Sequence, residues 1–581
     1  MAEAIISPGV FTRENDISFI QPAPVEAGAA IIGPAVKGPV EKPTLVTSYN
    51  DYVRRFGATF ESASTSYEFM TSIAVKNYFS QGGNSVLVTR VVSGSFDPAT
   101  STHVSASNGS IQPFTLETLG EGTIFNNSTA LTDPGAENLD GSLVSGSADN
   151  LRWEVSNISN SQGTFSLSVR QGDDNTKSKT ILETFNNVSL DPNSSNYIEA
   201  VIGNQSSTLT DGADGTYIRT SGEYINRSNY VRVSAVNLKT LDYLANDGVT
   251  VNTDSSGASY SGSLPIAESG SFYDANGGIA AGANFFDNIA DGDTQGLVAG
   301  DYTKVINLLT NKEEYIFNII SAPGLSYSFA THITPIDSII SLAEGRGDCI
   351  AVVDVQGYEA EVLNVTEKAA LINSSYAATY WPWLQVLSAT GRNEWVPASV
   401  VIPGVYAFTD NSTAPWFAPA GLVRGGLVGV IQAERRLSRT DRDSLYNAKV
   451  NPIASFPGTG IAVFGQKTLQ TKASALDRVN VRRLLIELKE FVGNQAQNLV
   501  FEQNTINTRN KFLAAVNPYL DTVVSRQGLY AFRVVMDDSN NSADIVDRNQ
   551  LVGQIFIQPA KTAEFIVLDF TVEPTGATFG A

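Results

Sequence analysis

Residues 349–355 read CIAVVDV, an unbroken apolar run with one charge, Asp354, near its end. A strand that alternates buries one face, whereas a short continuous apolar run buries both. The flanking sequence follows a helix–strand rhythm. Residues 301–311 carry a helical pattern, and residues 315–320 (YIFNII) read as a strand closed by Ala322, Pro323 and Gly324. A helix is expected over 335–344, another over 362–373, and a strand over 377–386. Strands alternating with helices predict a parallel sheet covered by helices.

Outside this block the 581-residue chain has room for roughly three or four domains. Its net charge of −21 is unevenly spread. Residues 1–92 hold 7 basic and 8 acidic side chains, residues 346–581 hold 21 and 22, and residues 93–345 hold 10 and 29. The acidic middle is also where Gly, Ser and Asn accumulate, so it reads as a solvated, outward-facing insertion in a near-neutral body. Residues 164–170 (TFSLSVR) and 230–236 alternate as strands do, and a disordered linker is the alternative for other parts.

The first 25 residues read as an arm. Pro8, Pro22 and Pro24 bar a helix, and Val10, Phe11, Thr12, Arg13 and Glu14 form one short strand. An amphipathic helix is expected over 64–80, then Gly82-Gly83 and a buried strand over 85–92 (SVLVTRVV). In the last third, residues 474–492 place Val481, Leu484, Leu485, Leu488, Phe491 and Val492 on one helix face. Arg478, Arg482 and Lys489 fall on an adjacent basic stripe. Residues 434–489 hold 11 basic and 5 acidic side chains. A second helix is expected over 505–516, stopping at Asn517-Pro518. Strands follow over 551–558 and over 564–572, the latter including Phe565, Ile566, Val567 and Leu568.

Most chemistry is excluded by what the chain lacks. One cysteine, Cys349, allows no internal disulfide and no cysteine-built zinc site. Two histidines, His103 and His332, leave little for metal binding or general-base catalysis. Residues 460–468 (GIAVFGQKT) approach a phosphate-binding loop, but Gln466 stands where lysine must follow the last glycine. Arg346-Gly347-Asp348 is better read as a helix-to-strand turn than as a recognition tripeptide. Asp291 and Asp293 lack calcium-loop spacing. The acidic balance disfavours nucleic acid, no run approaches the ~20 apolar residues of a membrane span, and the N-terminus lacks an export signal. No catalytic residue, cofactor or metal is expected.

Two resemblances add to this. CIAVVDV is similar to the strand that carries the aspartate of a subtilisin-type triad, with Asp354 in that role. Both histidines precede Asp354, so the triad order fails and no protease is implied. More extensive is a likeness to the contractile tail sheath proteins of phages. It is carried by Ser7-Pro8-Gly9-Val10, Gly33-Pro34, Gly38-Pro39, residues 49–57 (YNDYVRRFG) and 78–92, then SAPGL at 321–325, YWPWL at 380–384 and APWFAPAG at 414–421. Its most specific blocks are FGQKTL at 464–469, DRVNVRRLL at 477–485, FEQNTINTRNKF at 501–512 and residues 527–537.

The resemblance implies an α/β and α+β multidomain protein. The expected parts are an N-terminal arm (1–25), the N-terminal part of a core domain (26–92), an acidic β-rich outward insertion (93–300), a subtilisin-like α/β domain without a catalytic triad (301–465), a C-terminal core domain (466–560), and a C-terminal strand and arm (561–581). Both chain ends would build the core. The family implies copies of the chain stacked as six-membered rings around an inner tail tube, with baseplate and tail terminator proteins as further partners. Contraction would drive the tube through the host envelope. Such sheaths sit on the virion tail and are assembled in the host cytoplasm. The arms at Val10–Glu14 and Phe565–Leu568 would add strands to neighbours' sheets. Arg478, Arg482 and Lys489 would face the tube, or else form a salt-bridge belt within or between sheath subunits. Reversing Arg478 and Arg482 to Glu is expected to leave the fold intact. A β-rich virion adhesin or spike is the alternative function.

Overall fold

The computed structural model describes residues 25–62, 65–102, 104–106, 112–125, 135–213, 215–245, 249–252, 263–275, 289–458 and 460–564. At its centre is a six-stranded sheet in the order Ala377–Ala378, Ile350–Asp354, Ile319–Ser326, Ala29–Gly33, Val86–Arg90, Thr44–Val46. All neighbours run parallel except the last pair. Both faces are buried, as the continuous apolar runs require. Ile31, Val88, Ile350 and Val352 pack with Met70–Ser80 and Ile402–Ser412 on one side. Ala30, Ile32, Leu87, Ala351 and Val353 pack with Tyr302–Leu308 and Ala330–Arg346 on the other.

This sheet corrects the expected division of the chain. Residues 26–92 were to join the C-terminal segment in a core built from both ends. Instead Ala30 pairs with Ile320 and Leu87, so the N-terminal strands sit inside the same sheet as 319–378. The reason is in their composition: strands apolar on both faces belong between other strands, not at the rim of a small separate unit. The C-terminal segment has its own compact core. Helices Val479–Gln497 and Ile506–Ser525 and the hairpin Leu529–Val535/Gln554–Pro559 enclose Leu484, Leu488, Phe512, Val516, Leu520 and Val523.

Within 93–300 a seven-stranded sheet runs Ile181–Ser189, Thr164–Gln171, Leu151–Ser159, Glu268–Tyr273, Pro98–Ser101, Phe114–Glu121, Val231–Val236. Every pairing in it is antiparallel. Trp153, Phe114, Phe165, Leu167, Val231 and Phe272 form its core. Charge is also buried here. The Asp174 carboxylate is fully enclosed and accepts from Arg170 Nε and Nη2 at 2.7 Å, from Arg152 Nη1 at 3.3 Å and from the Thr180 N–H at 3.0 Å. The insertion meets the central sheet at buried Arg90, whose Nη1 donates to Gly38 O at 2.7 Å and Glu121 O at 2.8 Å.

Several element boundaries differ from the sequence reading. The helix expected over 64–80 begins at Met70, because Thr65–Glu68 pairs with Thr59–Ser62 and stacks Tyr67 on Phe60. The strand after Tyr315–Phe317 resumes at Ile319 and runs through Pro323 and Gly324 to Ser326. Two helices run past a proline expected to bound them: Ala330–Arg346 begins five residues before Pro335, expected as its first residue, and Ile506–Ser525 continues through Pro518, expected to follow its end. An interior proline costs about 3 kcal/mol. For Pro518 that cost is offset by burying Val516, Leu520 and Val523 along one continuous stripe.

Candidate assembly surface

Both arms named from the sequence, Val10, Phe11, Thr12, Arg13 and Glu14 and Phe565, Ile566, Val567 and Leu568, lie outside the described residues. The strongest candidate is the hairpin Leu529–Val535/Gln554–Pro559, a two-stranded sheet in register Arg533↔Phe556 and Val534↔Ile555. Phe532, Val534, Ile555 and Ile557 rest against the C-terminal helices, while Tyr530 and Phe556 project outward, 65% and 56% exposed. Among the described residues each strand has one neighbour only. Two-stranded sheets are marginal in isolation, and an open edge offers backbone donors and acceptors to an incoming strand. The sequence reading found the second strand, near 551–558, but not Leu529–Val535.

The basic stripe is not a free stripe. Arg478 forks onto Glu564, with Nε at 2.7 Å and Nη2 at 3.0 Å, and also meets Asp477 at 2.8 Å. Arg482 is 4% exposed. Its guanidinium stacks 4.0 Å over the Tyr376 ring and donates to the carbonyl and hydroxyl of Ser375. Burial holds its pKa below the ordinary arginine value. Lys489 alone is exposed, its Nζ donating to Tyr376 Oη at 3.1 Å. The helix begins at Val479, five residues later than read, after the short turn Ala475–Asp477. Arg478 thus precedes the helix instead of lining it.

This overturns the expectation that charge reversal would spare the fold. Arg482→Glu places a carboxylate in a buried aromatic niche and removes the stacked cation, which should cost about 3–5 kcal/mol. Lys489→Glu should stay within about 0.5 kcal/mol. Urea unfolding of the two variants checks both, and equal midpoints would contradict the buried role of Arg482.

A second group meets the same Glu564. Tyr446 Oη donates to it at 2.7 Å and Gln466 Nε2 at 3.1 Å, and Gln466 also reaches Thr562 Oγ1 at 2.6 Å. Burial would raise the Glu564 pKa, but the hydrogen bonds from Arg478, Tyr446 and Gln466 outweigh it and hold the carboxyl below its usual range. Nothing in the sequence links position 564 to 446, 466 and 478. They are brought together by the return of the chain after Gln554–Pro559, the last strand among the described residues.

The motifs set aside from the sequence take structural positions. Gly460–Val463 is a hairpin strand paired with Asn451–Phe456, not the strand–loop–helix of a phosphate site, and Lys467 Nζ donates to Tyr446 O at 2.7 Å. Arg346 ends its helix, Gly347 takes the left-handed cap at φ 72°, and Asp348 pairs back with Arg346 at 2.8 Å. Asp291 accepts from the Thr331 N–H and Oγ1. Asp354 is buried and accepts from the Ser399 N–H and hydroxyl, while His332 Nδ1 accepts from the Ser326 N–H at 3.2 Å. His103 lies outside the described residues. Among the described residues no cluster of His, Cys, Asp and Glu could hold a metal, and no helix is long and apolar enough to cross a membrane.

The phage tail sheath protein central domain matches residues 295–469, and the phage tail sheath C-terminal domain matches residues 471–573. The chain is 32% identical over 322 residues to the tail sheath protein of Vibrio phage KVP40, covering 50% of this chain and 47% of that protein. It is 30% identical over 302 residues to the tail sheath protein of Enterobacteria phage T4, covering 49% and 46%. The chain thus spans about half the length of the curated relatives it matches. In fold it resembles the sheath tail protein of Listeria innocua, at a TM-score of 0.51 and 11% identity over 92% of this chain and 95% of that one. Three of the six central strands, Ile319–Ser326, Ile350–Asp354 and Ala377–Ala378, and the C-terminal helix–hairpin unit lie within these two matched domains, so over residues 295–573 the chain is similar to phage tail sheath proteins.

Proposed function

We propose that the protein is a structural subunit of a contractile tail sheath, without enzymatic activity. Its copies stack as six-membered rings around an inner tail tube, from baseplate to tail terminator, on a virion tail assembled in the host cytoplasm. The observation that carries this reading is the open-edged hairpin Leu529–Val535/Gln554–Pro559 inside a sheath C-terminal domain. A neighbour's arm, residues 10–14 or 565–568, adds a strand to it, supplying the third and fourth strands that a stable sheet needs. Backbone pairing of this kind survives reorientation of the rigid bodies it joins, which suits a lattice that shortens without coming apart. The central parallel sheet, subtilisin-like in its reading, acts as the rigid block of each subunit. Lys489, the one exposed member of the basic stripe, contributes to a screened contact with the tube.

Electron microscopy of the purified full chain, with and without tail tubes, tests the proposal. Hollow tubes or stacked rings are expected, and their loss on deleting residues 1–16 or 565–581. A chain that stays monomeric even on added tubes would overturn the reading.

A further inference from the structure

The last described residue, Glu564, is held more firmly than a chain end needs to be. Four donors converge on its carboxylate: Arg478 Nε and Nη2, Tyr446 Oη and Gln466 Nε2. Two residues earlier Thr562 is tied to Gln466, and Ala560 N–H donates to Gly528 O at 3.0 Å. The donors come from both matched domains. Tyr446, at the end of helix Arg439–Asn447, and Gln466 belong to the central one, and Arg478 belongs to the C-terminal one. The chain leaves the hairpin at Pro559, crosses to the joint between the two domains, and is fastened there before residues 565–581 begin.

We infer that Glu564 is the anchor of the C-terminal arm, so that a pull on residues 565–581 by a second copy of this chain is delivered to both domains together. The second copy rests on the sheath reading, whereas the anchor is a property of the single chain. A bidentate arginine with two further donors resists extraction because leaving would strand several partly buried donors at once. Without it, a pull on the arm would peel the hairpin Leu529–Val535/Gln554–Pro559 from its helices, strand by strand.

Lys561 is the last trypsin site in the chain, and the bond after it lies inside the fastened segment. Full-length protein, Glu564→Ala and Glu564→Gln are treated with trypsin, and release of peptide 562–581 is followed by intact mass. Cleavage after Lys561 should be at least ~10-fold faster in Glu564→Ala, with Glu564→Gln between, because Gln keeps an acceptor and loses the charge. The thermal unfolding midpoint should fall by only a few degrees, so that a tenfold change in cleavage after Lys561 reports local release of the fastened segment and not general unfolding. Electron microscopy of the same samples should find that wild type assembles and Glu564→Ala does not. Equal cleavage of the three proteins overturns the anchor, and so does rapid cleavage with undiminished assembly. Failure of wild type to assemble on tubes overturns the sheath reading instead, and the cleavage rates still decide whether Glu564 is an anchor.

Discussion

Replacing Asp174 by alanine is expected to destabilise the acidic insertion severely while leaving the central sheet as stable as before. The Asp174 carboxylate is shared by two arginines whose side chains are 1% and 3% exposed. Arg170 retains Glu154 at 2.8 Å and Arg152 retains Glu137, but both of those carboxylates are partly solvated. Removing the common acceptor leaves two guanidiniums in a low-dielectric core, each with one of its two carboxylates, and breaking such buried pairs costs about 3–5 kcal/mol. A domain is commonly stable by only about 5–15 kcal/mol, so a loss of this size is severe. Asp174→Asn keeps an oxygen for the Thr180 N–H and should fall between wild type and alanine. Hydrogen exchange resolves the outcome by region. Accelerated exchange should be confined to strands such as Leu151–Ser159 and Thr164–Gln171, and uniform protection would contradict the argument.

The second large effect depends on pH. Asp354 closes the central strand Ile350–Asp354, where burial raises its carboxyl pKa to about 7, against the opposing pull of two hydrogen bonds from Ser399. An unfolded aspartate titrates near 3.9. Between those values the folded protein holds a proton that the unfolded chain has released. Stability from this group is therefore complete below about pH 4, declines as pH rises, and levels off above about pH 7. Asparagine at this position cannot ionise. The stability of Asp354→Asn minus that of wild type should shift in favour of the variant by roughly 2.5 kcal/mol between about pH 5 and about pH 8. Urea titrations of both proteins at the two pH values measure it. A difference that does not change with pH would mean that Asp354 is ionised throughout.

How far the sequence was legible follows the kind of interaction involved. The parallel, helix-covered sheet could be read from 349–355 and its neighbours because two-sided burial leaves a continuous apolar run. What could not be read was which other strands complete that sheet. Residues 29–33 and 86–90 are apolar in the same way, but register with residue 320 is a long-range choice that local pattern does not encode. The strand Leu529–Val535 escaped because its LYAFRVV pattern rests one face on helices and leaves Tyr530 outside, a mixture neither alternating nor continuous. The basic stripe failed for a geometric reason. A helical wheel assigns angles, but it cannot tell that Tyr376 covers Arg482, nor that Arg478 lies before the first turn. The Glu564 cluster was invisible because charges distant in sequence carry no spacing signal.

The arrangement of the central sheet has a consequence for the order of events during synthesis. Ala30 pairs with Ile320, so the sheet cannot close until the ribosome has added 290 further residues. At about 5–20 residues per second this takes tens of seconds. Throughout that interval Ala29–Gly33 and Val86–Arg90, apolar on both faces, have no covering strand from the 319–378 block. The seven-stranded sheet of the insertion, by contrast, draws all its strands from between Pro98 and Tyr273 and can form before Ile319 leaves the ribosome. The insertion is therefore expected to fold first, and the Arg90–Glu121 contact joins it to the second of the two early strands. Nascent chains stalled near residue 300 should carry a protease-resistant insertion on an unfinished body, and that intermediate is the one a chaperone would be expected to meet.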